Sequence, residues 1–164
     1  MTDTPLTAPD VIVVGAGPAG AAAAITLARR GSKVTLIDKA TFPRDKICGD
    51  GLTTGALRLL EDLGVQPASM ASWTPVDDIH VAGPNGHTVT FPLPRDRGAY
   101  AVVSRRMDLD AAIVDQARTV GVTVLEGTEV TGATDTGDQV ELTLDGDTTL
   151  SAPYVIAADG MWSP

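Results

Sequence analysis

The chain has 164 residues and a hydrophobic fraction of 43%, which suits one domain with a buried core and excludes a disordered chain. Its 12 Lys and Arg against 21 Asp and Glu give a net charge of −9, which argues against binding nucleic acid or anionic lipid through charge. The single cysteine, Cys48, excludes an intramolecular disulfide and a cysteine-rich zinc site, and it indicates a reducing, cytoplasmic location. We predict no metal site.

The first elements predict a β-α-β unit. Val11–Val14 is a run of β-branched residues, which is typical of a strand buried on both faces. A glycine-rich turn follows at once, and the helix-forming residues 19–30 then end at Gly31. Val34–Asp38 predicts a second strand, which a helical crossover of this kind makes parallel to the first.

The region after the second strand is more polar. Residues 39–51 predict an irregular connection, and Thr53 or Thr54 is expected to cap a short helix that Gly64 closes. We predict that residues 65–76 form a loop.

The middle of the chain predicts a hairpin. Apolar residues alternate with polar ones at 79–81 and 89–91, on either side of the turn sequence at 84–86. Both histidines of the chain fall in this hairpin, and we expect them at the surface. Residues 100–103 predict a short strand after it.

The remaining residues predict one helix and several strands. The helix covers residues 108–120, buries an apolar face and ends at Gly121. The strands are predicted at 122–125, 140–144, 149–150 and 154–157, with the last in the core. This order predicts an α/β fold, namely a Rossmann-like three-layer domain whose central parallel sheet carries a small antiparallel sheet.

The first turn carries a dinucleotide-binding fingerprint. It matches G-x-G-x-x-G with the residues Gly15, Ala16, Gly17, Pro18, Ala19 and Gly20. Gly15 permits a tight turn, Gly17 lets the backbone approach a diphosphate, and Gly20 allows close packing of the helix on the sheet. Asp38 ends the second strand, where it is expected to accept hydrogen bonds from an adenosine ribose and to repel a 2′-phosphate. The alternative is a turn that serves packing alone.

Further motifs give nearly the whole chain a family resemblance. With the first turn, segments 42–52, 106–110, 126–130 and 158–160 resemble the geranylgeranyl reductase family of flavoproteins. The Cys-Gly-Asp-Gly-Leu sequence at 48–52 is the most family-specific of them. This family belongs to the FAD-dependent monooxygenase superfamily, which has the glutathione-reductase-like FAD-binding fold. The similarity is greatest to menaquinone reductase-like bacterial members, which act on isoprenoid side chains.

The resemblance implies that FAD is the cofactor. The residues that it implies as FAD contacts are Gly15, Gly17, Pro18, Ala19, Gly20, Asp38, Lys39, Cys48, Gly49, Gly51, Arg106, Val130, Asp159 and Gly160. The turn glycines would line the diphosphate, and Asp38 would hold the adenosine ribose. The loop at 48–51 would follow the flavin, and the Val130 backbone would contact adenine. The Asp-Gly pair at 159–160 would lie near the diphosphate and the route of NAD(P)H.

Four of these residues have plainer interpretations. Arg106 occupies the family's arginine at a helix start, and the alternative is a solvated side chain. The Asp-Gly pair at 159–160 could be an ordinary turn. Cys48 is the candidate catalytic residue, with Lys46 and Arg44 beside it to lower the pKa of its thiol, although a lone cysteine is more often a small buried apolar residue.

The resemblance implies an FAD-dependent oxidoreductase that reduces isoprenoid carbon–carbon double bonds by hydride transfer from reduced flavin, with NAD(P)H as a candidate electron donor. Its substrate would be a lipid, so we expect peripheral membrane contact. The alternatives are an FAD-dependent hydroxylase or halogenase, a non-catalytic FAD-binding module and, less favoured, a plain NAD dehydrogenase. We expect residues 1–164 to form one incomplete FAD-binding domain from a truncated chain, because the family's substrate domain and second FAD motif come later.

Overall fold

A computed structural model describes residues 8–94, 96 and 98–160 of the chain. These residues fold into two compact units, one made of residues up to 44 and from 110 onward, the other of residues 45–109. The helices are α1 (Pro18–Ala28), α2 (Thr54–Asp62) and α3 (Arg106–Thr119). The strands are β1 (Val11–Val14), β2 (Val34–Asp38), β3 (Gly51–Thr53), β4 (Thr74–Pro75), β5 (Asp78–Ala82), β6 (Thr88–Pro92), β7 (Ala101–Val103), β8 (Thr123–Glu126), β9 (Val130–Asp135), β10 (Val140–Leu144), β11 (Thr149–Ala152) and β12 (Tyr154–Ala157).

The first unit is built on a parallel sheet of four strands in the order β12-β1-β2-β8. A second sheet, β11-β10-β9, is antiparallel. Ile12 and Ile37 of the parallel sheet form one buried cluster with Leu142, Leu144 and Ala152 of the antiparallel sheet. One part of the core of this unit therefore lies between the two sheets, and the predicted α/β fold with its small antiparallel sheet is confirmed.

The second unit contains a short three-stranded sheet, β3-β7-β4, and the β5–β6 hairpin. Thr53 begins α2 as its N-cap, with Oγ1 accepting a hydrogen bond from the Ala56 amide at 3.5 Å. Gly64 follows the end of α2 with a φ of +75°, so the predicted glycine stop of this helix is confirmed.

The β5–β6 hairpin carries an exposed apolar stripe. Ile79 lies opposite Phe91, and Val81 lies opposite Val89. All four side chains belong to one face of the hairpin, since residues two apart in a strand share a face. Each is about half exposed, so alternation predicted the hairpin correctly without predicting burial. Both histidines are exposed, as expected.

Several predicted bounds are corrected. Helix α1 covers Pro18–Ala28 instead of 19–30, and α3 begins at Arg106 instead of 108. Residues 65–76 hold β4 and a short 3-10 turn at Pro67–Ser69, and β3 and β9 were not predicted. The strand at 154–157 is not in the core as predicted: among the described residues it pairs only with β1, at the edge of the sheet, and Tyr154 is 68% exposed.

Within the described residues, neither α1, α2 nor α3 has the length and apolar character that a bilayer-spanning helix needs.

Candidate functional site

The glycine turn lies where three parallel strands end. The Gly15 amide donates to the Ile37 carbonyl at 2.7 Å, and the Ala158 amide donates to the Val14 carbonyl at 2.7 Å. Gly15 has a φ of +99°, and a Cβ built on it would lie 2.4 Å from the Ala158 carbonyl oxygen. Only glycine fits at this position, because any other residue would be strained at this φ and its Cβ would overlap backbone atoms.

The turn leaves the start of α1 open. Gly17 is the N-cap and has no capping side chain, and a Cβ built on it would meet nothing nearer than Arg44 Nη2 at 3.8 Å. Pro18 has no amide hydrogen, while Ala19 and Gly20 have amides for which a helix offers no internal acceptor. The first turn of the helix contains no acidic residue. Such an open, positively polarised helix end fits a diphosphate group.

Asp38 binds the same turn. Its Oδ2 accepts a hydrogen bond from the Ala16 amide at 2.7 Å, and its Oδ1 accepts one from the Ala40 amide at 2.8 Å. The side chain is therefore directed at the glycine turn and fixed there from both oxygens. A carboxylate has about four acceptor positions, so it retains capacity for sugar hydroxyls. This arrangement fits the ribose of a dinucleotide beside its diphosphate.

The other candidate residues of the first unit surround this turn or follow it in the sheets. Lys39 is exposed and pairs with Glu129 at 3.6 Å. Val130 begins β9 and packs against the buried cluster of Ile12 and Ile37. The Asp-Gly pair at 159–160 follows β12, and a Cβ built on Gly15 would lie 2.7 Å from the Asp159 Cα. Gly160 has a φ of +91°, as a turn after the strand requires.

The remaining candidates lie in the second unit. Cys48 and Gly49 belong to the loop that enters β3, and Gly51 is the first residue of that strand. In this loop Asp50 has a φ of +55°, and its carbonyl accepts a hydrogen bond from the Ser104 amide at 3.0 Å. Cys48 is exposed, which excludes the buried apolar interpretation. The structure thus divides the predicted residues into two sets, one in each unit.

Arg106 is the first residue of α3, and a polar network fixes this helix start. The Arg105 amide donates to Ser72 Oγ at 2.9 Å. Asp108 Oδ2 accepts from the Ser72 amide at 3.1 Å and from Arg105 Nη2 at 3.3 Å. These bonds hold the backbone that carries Arg106. Arg106 itself is half-buried, so its interpretation as a fully solvated side chain is not supported.

The pKa of the Cys48 thiol is lowered, as predicted, but by different groups. The Asp50 amide lowers this pKa most, and the Arg106 guanidinium lowers it further by a hydrogen bond and by its charge. Lys46 and Arg44 are not the cause. The structure therefore brings Cys48 and Arg106 together and favours the thiolate, which is the nucleophilic form of cysteine.

We expect Cys48 to react with iodoacetamide at neutral pH faster than free cysteine does, because a lowered pKa raises its thiolate fraction. The rate should rise with pH to a plateau, with its midpoint below that of free cysteine. Arg106→Gln should move the midpoint upward, whereas Arg58→Gln, a change at an exposed arginine of α2, should leave it in place. The adduct mass reports this one site, since the chain has one cysteine. A midpoint unaffected by Arg106→Gln would contradict the assignment.

In the first unit, one ion pair was not predicted from the sequence as part of the site. Arg44 Nη1 lies 3.0 Å from Oδ2 of Asp110, whose side chain is fully buried. A signal was present: Asp110 shares a helix face with Ile113, Val114 and Ala117, all of them buried. A carboxylate at such a position needs a partner, because an unpaired buried charge is costly.

The described residues contain no group of three or more His, Cys, Asp or Glu side chains placed to hold a metal ion.

Comparisons with known proteins agree with this geometry. The family described as "FAD binding domain" matches residues 8–164. The menaquinone reductase of Mycolicibacterium smegmatis is 40% identical over 158 residues, which cover 92% of this chain and 37% of that protein. The solved structure of a geranylgeranyl bacteriochlorophyll reductase-like protein from Thermoplasma acidophilum has a TM-score of 0.78 and 26% identity, over 93% of this chain and 39% of that one. The flavin-dependent halogenase CmlS has a TM-score of 0.79 and 31% identity, over 97% of this chain and 30% of that one.

The chain therefore spans well under half the length of the curated relatives that it matches.

Proposed function

Because the chain belongs to the FAD-binding domain family, we propose that it forms the FAD-binding part of a flavin-dependent oxidoreductase. The observation that carries this proposal is the glycine turn, whose open helix start and Asp38 carboxylate lie together at the ends of the parallel strands. That position at the carboxyl ends of the strands is where open α/β sheets bind their ligands.

Each part of the turn has a separate task in this proposal. The amides of Ala19 and Gly20 bind the diphosphate, and Gly17 admits it because no side chain stands in the way. Asp38 orients the adenosine ribose by accepting from its hydroxyls. Bound flavin supplies hydride-transfer chemistry, and the protein supplies binding and orientation.

The substrate class that we propose is an isoprenoid chain, of which one carbon–carbon double bond is saturated per turnover. The Cys-Gly-Asp-Gly loop at 48–51 and the 40% identity to a menaquinone reductase support this class. An isolated alkene is a poor electrophile, so its reduction needs a dry site and a proton donor as well as a hydride source. We propose NAD(P)H as the electron donor, and peripheral membrane contact because the substrate is a lipid.

A second candidate is an FAD-dependent halogenase or monooxygenase. The similarity to CmlS favours it, since that halogenase is as similar in fold to this chain as the reductase-like protein is. A third candidate, a non-catalytic FAD-binding module, needs only the turn and Asp38.

The test begins with the chain purified with FAD and reduced anaerobically by NADPH or by dithionite. A quinone carrying a polyprenyl chain is then added, and its mass is measured. A gain of two hydrogen atoms on the side chain supports the reductase, and flavin reduction by NADPH supports the donor. The control is free FAD reduced by dithionite.

Other outcomes separate the alternatives. Product formation only in air, with an aromatic substrate or a halide, would favour the monooxygenase or halogenase. Stable FAD binding without turnover under either condition would support the FAD-binding role of the chain and would not support the proposed substrate class. A chain that binds no FAD would overturn the proposal.

A further inference from the structure

Arg44 carries an inference that goes beyond the glycine turn and Asp38. Its guanidinium reaches the start of α1, since Nη2 would lie 3.8 Å from a Cβ on Gly17. The side chain is 83% buried, being only 17% exposed, and the guanidinium carbon lies 5.0 Å from the centre of the Phe42 ring. This side chain is therefore held in place and is not a solvated surface arginine.

The start of α1 adds partial positive charge beside Arg44, whereas the Asp110 carboxylate balances only the guanidinium. The N-terminus of a helix carries partial positive charge, so a cation beside it is unfavourable unless an anion is also bound. Asp110 supplies one negative charge at Nη1, on one side of the guanidinium. Nothing acidic stands in the first turn of α1. The combination of Arg44 Nη2 and the open helix start therefore attracts an anion.

The contact with Asp110 also leaves hydrogen-bond donors of the Arg44 guanidinium unused among the described residues. Nη1 is buried and lies 3.0 Å from Asp110 Oδ2, yet its N–H groups are not aligned with any acceptor in the described part of the chain. The pair is therefore an ion pair by distance without a well-directed hydrogen bond. A guanidinium has five donors in a planar fork, which matches the oxygens of a phosphate.

We propose that Arg44 is a diphosphate ligand of the dinucleotide, and that Asp110 is the positioning residue that holds its guanidinium at the start of α1. This inference rests on the proposed function, because it assigns a further ligand to the same FAD site. Asp110 acts through Arg44, since its own carboxylate is fully buried in the first unit.

The experiment compares ADP with adenosine, two probes that differ in the diphosphate. Binding of each to the full chain is measured by calorimetry, together with FAD binding by flavin fluorescence. Arg44→Met should weaken FAD and ADP binding by roughly tenfold or more and leave adenosine binding unchanged. Asp110→Asn should also lower the affinity for ADP relative to that for adenosine, but by a smaller factor than Arg44→Met does. Arg30→Met is the matched control, because this exposed arginine lies beyond the opposite end of α1.

Arg44→Met alone would leave the buried Asp110 carboxylate without the Arg44 cation, which could destabilise the fold. The double variant Arg44→Met with Asp110→Asn removes both charges and so separates loss of the ligand from loss of the fold. It should fold and show the same selective loss of ADP binding. Equal losses for ADP and adenosine, or an unchanged ADP affinity, would overturn the role of Arg44 while leaving the FAD site intact. If the unmodified chain bound neither FAD nor ADP, the proposed function would fail and this inference would fail with it.

Discussion

Replacing Gly20 with alanine is expected to destabilise the first unit by about 3 kcal/mol or more, at the upper end of the cost of overpacking. The added Cβ would lie 1.9 Å from the Gly15 carbonyl oxygen and 3.1 Å from the Ala158 Cβ. The first of these neighbours is backbone in a turn whose own φ already requires glycine, so it cannot rotate away as a long side chain could. A loss of this size is a large fraction of the 5–15 kcal/mol by which domains are typically stable.

The measurement is urea unfolding followed by circular dichroism, and Gly55→Ala is the matched control. Gly55 lies in α2, and a Cβ there would meet only Thr53 Oγ1 at 3.9 Å. The same substitution should therefore raise stability by about 0.5–1 kcal/mol, because alanine favours the helix. If Gly20→Ala unfolded at the urea concentration of the unmodified chain, the close approach of α1 to the turn would be refuted.

Replacing Asp38 with alanine is expected to weaken FAD binding by roughly 10- to 150-fold. The estimate converts the ~1.5–3 kcal/mol that a hydrogen bond to a charged group contributes. Two effects act together, since the ribose loses its acceptor and the Ala16 amide loses the carboxylate that fixes it at 2.7 Å. Asp38→Asn should be intermediate, because an amide oxygen can accept from Ala16 or from Ala40 but presents an NH₂ group to the other.

Flavin fluorescence titration gives the dissociation constants, and Glu141→Gln is the control. Glu141 is an exposed carboxylate on β10, so its neutralisation removes the same charge without touching the turn. The affinity of the Glu141→Gln variant for FAD should match that of the unmodified chain. An Asp38→Ala variant that binds FAD as tightly as this control would exclude a role for Asp38 at the ribose.

Sequence patterns predicted the first unit well because its signals are local. The β-branched run of β1, the glycines of the turn and the acidic end of β2 all lie within one β-α-β unit. The same reasoning missed β3 and β4, which have three and two residues and so are too short to show a period. It missed β9 because Val130–Asp135 contains small and polar residues whose pairing with β10 comes from the fold.

The candidate site was predicted in part for the same reason. The roles of Gly15, Gly20 and Asp38 follow from spacing along the chain, and in the structure Gly20 packs on the glycine turn and Asp38 binds it. The pairing of Arg44 with Asp110 joins residues far apart in sequence, so no local pattern contains it. The direction of the shift in the Cys48 pKa was predicted, but its causes were not: the Asp50 amide lowers this pKa most, and Arg106, which only the folded chain brings near, lowers it further.

The exposed apolar stripe of the β5–β6 hairpin has a consequence for local stability. An isolated two-stranded hairpin is only marginally stable in water. This hairpin gains little stability from burial of apolar surface, since its four apolar side chains remain about half exposed. Its order rests on the turn and on the cross-strand contacts of Ile79 with Phe91 and of Val81 with Val89. The hairpin therefore belongs to the first parts of the fold to open transiently, well before the sheet that carries the glycine turn.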